Sequence, residues 1–156
     1  MKINNVCAFL ALLLLFSCKS NKVISPSEYK GNRMILSHGG GFAGTYKTYH
    51  ILENGQVFKN TNALKKEATE ALEGFDKDQV EQIFMNYKVL GLGQEKIQSY
   101  SNLNYSIVMI NEKGEEHKLV WENGQKGSEK LKLFYSNVMN QIKHYHQNNG
   151  KPEAKQ

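Results

Sequence analysis

The sequence predicts an α+β domain: one antiparallel sheet built from two hairpin regions, with two helices on a single face in the order ββαββα. Three observations carry this. Runs of β-branched and aromatic residues alternate around Asn- and Gly-containing turns, which is the pattern of hairpins. Two other stretches space their apolar residues three and four apart, as helices do. The connections between these stretches are short enough for one compact unit, and the simplest packing sets both helices against one side of the sheet.

Each element has its own justification. Arg33 to Ser37 (RMILS) reads as a first strand, followed by Thr45 to Leu52 (TYKTYHIL) and Gln56 to Lys59 (QVFK) around the Glu53-Asn54-Gly55 turn. Asn60 to Phe75 is ambiguous. Its Ala, Leu, Lys and Glu favour helix by propensity, but its position suits a further strand or irregular structure, and that is the expectation. Asp76 with Gln79 forms a capping box ahead of the stripe Val80, Ile83, Phe84 and Tyr87, and Gly91 is placed to end that helix. Tyr105 to Ile110 (YSIVMI) and His117 to Trp121 (HKLVW) form a second hairpin through Asn111-Glu112-Lys113-Gly114. Ser128 is positioned to cap a last helix with the stripe Leu131, Phe134, Tyr135, Val138, Ile142 and Tyr145. This order resembles that of small periplasmic modules such as PepSY-type and β-lactamase-inhibitor-like domains, a likeness of fold that carries no activity.

The N-terminus is of another kind. Lys2 precedes the apolar run Val6 to Phe16 (VCAFLALLLLF). As a helix that run is about 16 Å long against about 30 Å of bilayer hydrocarbon, too short to span, so it reads as the core of a signal peptide. The following Leu15-Phe16-Ser17-Cys18 resembles the lipobox of bacterial lipoproteins: an aliphatic residue, a variable one, a small one, then cysteine. Phe16 is larger than the commonest residue at its position, though relaxed versions occur in Bacteroidetes-type lipoproteins. The resemblance implies removal of residues 1–17, a diacylglycerol thioether on Cys18 and acylation of its new amine. Of the two cysteines, Cys7 would leave with the signal peptide and Cys18 would carry lipid, so the mature chain would hold no free thiol and no internal disulfide.

Residues 18–32 then read as the lipidated cysteine and a flexible tether, 33–146 as the single domain, and 147–156 as a disordered tail. The composition, 40% hydrophobic and 22% charged, excludes a multi-span membrane protein and a wholly disordered chain. The formal charge of +5 falls to +4 once Lys2 is removed, and the lysines are scattered, which argues against nucleic acid as a partner.

Reactive chemistry is sparse. His38, His50, His117, His144 and His146 show no metal-ligand spacing, so no metal or cofactor is expected. The only aspartates, Asp76 and Asp78, lie at a helix start, and there is no Gly-x-Ser-x-Gly elbow. Glycines 39–41 and 44 offer either an anion-binding nest or a bulged turn, and the turn is the simpler account. The candidate ligand-binding residues are therefore Gly40, Gly41, Tyr46, His50, His117 and Trp121, although Trp121, which closes an alternating strand, fits the sheet–helix core better. The expected protein is a non-enzymatic, lipid-anchored envelope module that acts as a binding, adaptor or inhibitor-like domain. It would sit on the periplasmic side of the outer membrane, with an envelope protein, peptide or glycan as partner. A small envelope hydrolase or metal-dependent enzyme and a purely structural lipoprotein are the alternatives.

Overall fold

The structure, a computed structural model, describes residues 23–41, 44–63, 66–72, 75–122 and 128–149. Six strands form one antiparallel sheet: β1 (Arg33–Gly40), β2 (Thr45–Leu52), β3 (Val57–Ala63), β4 (Lys66–Leu72), β5 (Leu103–Ile110) and β6 (Glu116–Glu122). Helix α1 (Lys77–Val89) and a short helical turn (Leu92–Gln94) lie between β4 and β5, and helix α2 (Glu129–Asn149) follows β6. The α+β class and the antiparallel sheet with two helices agree with the sequence expectation. The ββαββα order does not: four strands precede the first helix and two precede the second.

The correction lies in the ambiguous segment. Residues 60–63 extend β3 and residues 66–72 form β4, a further strand where the sequence suggested one, so helix-favouring residues are held in a strand by cross-strand pairing. Val57 opposes Leu72, the Lys59 ammonium lies 3.4 Å from the Glu70 carboxylate, and the Asn60 amide donates to Thr69 Oγ1 at 3.4 Å. Propensity is worth only tenths of a kcal/mol per residue and yields to such partners.

The strand order is β4-β3-β2-β1-β5-β6, which makes the first strand the centre of the sheet. α1 carries the chain back so that β5 can pair with the edge of β1 left open by β2. Alternation divides the two faces. Met34 and Leu36 of β1, Tyr49 and Ile51 of β2, Ile107 of β5 and Leu119 and Trp121 of β6 are buried with Val80, Ile83 and Phe84 of α1 and Leu131, Phe134 and Val138 of α2. Both helices therefore cover one face. The other presents a polar row in which Ser37 and Thr48 hydroxyls meet at 3.1 Å.

The boundaries follow from local chemistry. The Gln79 amide N–H donates to Asp76 Oδ1 at 2.7 Å and the Asp76 N–H donates to Gln79 Oε1 at 3.3 Å, completing the capping box. Gly55 turns the β2–β3 hairpin at φ 97°, and its Cα sits against the first residue of α1, where an added Cβ would lie 3.4 Å from the Lys77 backbone. Ser128 stands just before α2, with its carbonyl accepting from the Leu131 and Lys132 N–H groups at 3.0 and 3.2 Å. α2 runs to Asn149, three residues into the stretch read as tail.

Residues 23–32, read as the end of the tether, are tied to the domain. Arg33 donates to the Pro26 carbonyl at 2.6 Å, the Asn32 amide to Glu53 at 2.9 Å and the Ile24 N–H to Gln56 at 3.3 Å. The signal-peptide region, Cys18 and the chain beyond residue 149 lie outside the described residues.

Candidate functional site

Beyond Leu36 on the helix-covered face, β1 places His38, flanked in the sheet by Lys47 of β2 and Tyr105 of β5. Tyr105 in turn opposes Trp121 of β6. α2 does not seal this end. A cleft of about 420 Å³ opens there, with His38, Tyr105 and Trp121 on its sheet wall. Lys132, Ser136, Asn140 and Lys143 line the helix wall, spaced three and four apart so that they share one side of α2. Glu122 closes the rim, while Tyr135 and Met139 complete the lining. This volume falls within the range of small-molecule sites.

The aromatic wall is packed onto itself. Tyr105 stacks on Trp121 at 5.8 Å between centroids, and Tyr135 meets both rings edge-on at 5.6 and 5.2 Å. Trp121 is accordingly 3% exposed and belongs to the core, the second of its two sequence roles. It contributes to the cleft through its margin.

Two contacts of one phenol bear on the tautomer of the histidine. Tyr135 Oη donates to the Ser37 carbonyl at 3.3 Å and lies 3.1 Å from His38 Nδ1. A phenol has one hydrogen, so with that hydrogen on the carbonyl, Nδ1–H donates to the phenol and Nε2 is left as an acceptor. Burial, then Lys47 and Lys143, lower the His38 pKa, because each disfavours the imidazolium. Burial pushes the Tyr135 hydroxyl far up, with Tyr105 and Tyr49 adding to the rise, so it remains a neutral donor.

The sequence candidates scatter around the fold. Gly40 ends β1 at φ 122°, where an added Cβ would fall 2.1 Å from the Asn102 carbonyl oxygen, and the Gly41 N–H donates to that same oxygen at 2.5 Å. The Gly44 N–H donates to the Gly41 carbonyl at 3.1 Å. These amides are spent on the turn, as the simpler reading of the glycines has it. Tyr46 and His50 share the uncovered sheet face, Tyr46 being 41% exposed and His50 half-buried between Ile35 and Phe58. Burial, with Arg33 nearby, lowers the His50 pKa.

His117 faces the helices at the other end of β6. Its Nε2–H donates to the Glu95 carbonyl at 2.9 Å and its Nδ1 accepts from the Tyr87 hydroxyl at 2.8 Å. Of the six predicted ligand residues, only Trp121 reaches the cleft. His38, Tyr135 and Lys143 were missed as site residues, although strand alternation from Met34 through Leu36 to His38 would have placed the histidine on the helix side.

Among the described residues there is no group of three His, Cys, Asp or Glu able to hold a metal ion, and no helix is long and apolar enough to cross a membrane. Comparison with known proteins gives no matching family model and no matching curated protein.

Proposed function

We propose that this chain is a lipid-anchored envelope protein whose domain acts by binding, with the cleft beside α2 as its ligand site. The anchor rests on the Leu15–Cys18 run, and with it the expectation of a periplasm-facing position on the outer membrane. One observation carries the binding reading: the cleft joins an aromatic wall to a ring of polar side chains on a single helix. Its two most reactive groups hold each other, His38 on Tyr135 and Tyr135 on the Ser37 carbonyl, which suits orientation of a ligand more than turnover. The partner class is an envelope protein, peptide or glycan presenting a group that fits the cleft.

A photo-crosslinking residue at Asn140 on the cleft rim, compared with one at Lys113 in the β5–β6 turn, tests this in the native membrane. An adduct from Asn140 and none from Lys113 is expected, and equal labelling at both would contradict the cleft. Cys18→Ser should move the protein to the soluble fraction or leave it uncleaved; an unchanged lipid mass at the N-terminus would contradict the anchor.

A small hydrolase is the second reading. It has one observation in its favour, that His38 and Glu122 line the same cleft.

A further inference from the structure

The charges around the cleft are uneven. Among the described residues, Lys143 on α2 lines it with one carboxylate, Glu122, and Lys47 stands beside His38 in the next strand. Between them lies an apolar and aromatic floor of Tyr105, Trp121 and Met139. Such a site attracts an anion, and Glu122 at its rim penalises a second negative charge. His38 adds a further element. Its Nδ1 is engaged by Tyr135, while its Nε2 makes no hydrogen bond among the described residues and is not a buried unpartnered atom. The imidazole therefore presents an open acceptor on the cleft wall.

We propose that the cleft takes a flat apolar group bearing one carboxylate, held by Lys143 and by a proton that His38 Nε2 takes up as the anion binds. This rests on the reading of the cleft as a ligand site and names its ligand class. The groups that face His38 are Lys47 and Tyr49 from β2, Tyr105 from β5, and Tyr135 and Lys143 from α2, with Glu122 of β6 across the cleft. With no ligand, burial and the two lysines disfavour the charged ring. A carboxylate against Nε2 offsets both, so imidazolium becomes the stable form and a new charge-assisted hydrogen bond forms. Affinity for the anion then rises as pH falls, and affinity for a neutral ligand of the same shape does not.

Trp121 is the only tryptophan, so its fluorescence reports on the cleft wall directly. The probes are phenylacetate and its neutral counterpart phenylacetamide, titrated against the full chain in lipid nanodiscs at pH 7.5 and 5.5. Phenylacetate should bind about tenfold more tightly than the amide at pH 7.5, and the ratio should widen by about another three- to tenfold at pH 5.5. Lys143→Gln should lower the preference for carboxylate at both pH values. His38→Gln should lower that preference too and, unlike Lys143→Gln, should also abolish its widening at pH 5.5. Equal binding of the two probes by the wild-type chain, or a ratio that does not change with pH, would overturn the proposal. A Trp121 signal insensitive to both probes, together with a ligand adduct at Asn140, would overturn the ligand class while leaving the binding site standing.

Discussion

The sheet meets its helices through two histidine–tyrosine pairs, and they are built to opposite ends. At one end His117 of β6 and Tyr87 of α1 lie 2.8 Å apart, and the second ring nitrogen is spent on the Glu95 carbonyl. Glu95 is itself fixed by Lys130 at 2.8 Å, a contact that, with help from the Ser128 hydroxyl, holds its carboxyl below the usual range. At the other end His38 of β1 and Tyr135 of α2 lie 3.1 Å apart, but the second ring nitrogen opens onto a cleft. The same two residue types thus make a closed joint in one place and a cleft-facing surface in the other. What separates them is whether a backbone carbonyl comes within reach of the far nitrogen.

The largest expected effect comes from closing the glycine path beside the open pair. Gly39→Val would set a Cβ 2.2 Å from the Thr45 carbonyl oxygen at φ 155°, and it should cost about 3 kcal/mol or more in urea denaturation. Gly41→Ala meets no atom within 4 Å and carries only its positive φ of 74°, so about 1 kcal/mol is expected. Equal losses for the two would mean that β1 and β2 do not approach as closely as described.

The pairs themselves come next. His117→Ala strands the Tyr87 hydroxyl and the Glu95 carbonyl and should cost about 2–3 kcal/mol. His38→Ala leaves Tyr135 its bond to the Ser37 carbonyl and should cost about 1 kcal/mol. A reversed order in denaturant midpoints would break the distinction between closed and open.

Titration sharpens it further. Burial raises the Tyr87 pKa from 10.0 to about 12, so its contribution is complete below pH 10 and is lost as pH rises toward 12. His38 has its pKa lowered below 6.5, so the unfolded chain binds the proton first. Its contribution is full above pH 6.5 and fades as pH falls below that value. Tyr87→Phe should flatten the alkaline limb of a stability–pH profile, and His38→Gln should soften the acid limb, where His50 also contributes. The smallest effect belongs to Lys59 and Glu70, 3.4 Å apart at the sheet edge; Lys59→Gln should change stability by less than about 0.5 kcal/mol.

Local signals in the sequence carried much of this architecture. The Asn54-Gly55 hairpin, the Asp76–Gln79 capping box, the stripe of α1 and that of α2 from Leu131 to Ile142 are written within a few neighbouring residues, and each stands where it was read, while the Tyr145 side chain lies outside the described residues. The β3–β4 pairing was only half legible: position suggested a further strand, but cross-strand partners such as Lys59 with Glu70 are visible only once the strands lie side by side. Residues 23–32 gave no apolar signal because backbone and polar groups make their contacts with the domain, as in the Arg33 bond to the Pro26 carbonyl. The site was harder still. His38 and Tyr135 are 97 positions apart and meet only through the central place of β1 in the sheet. Each local segment places its own residue on the sheet–helix interface, but neither marks the meeting of the two.

The most direct test is nitrogen-15 NMR of the histidine side chains at pH 8, with and without phenylacetate. His117 should be the Nε2–H tautomer, as its bond to the Glu95 carbonyl requires, and should not respond to the ligand. His38 should be the Nδ1–H tautomer, with its unprotonated Nε2 resonance shifting on addition of the carboxylate. Finding His38 as the Nε2–H tautomer, or finding that the ligand moves His117 instead, would contradict the division of the two pairs on which the proposed binding site rests.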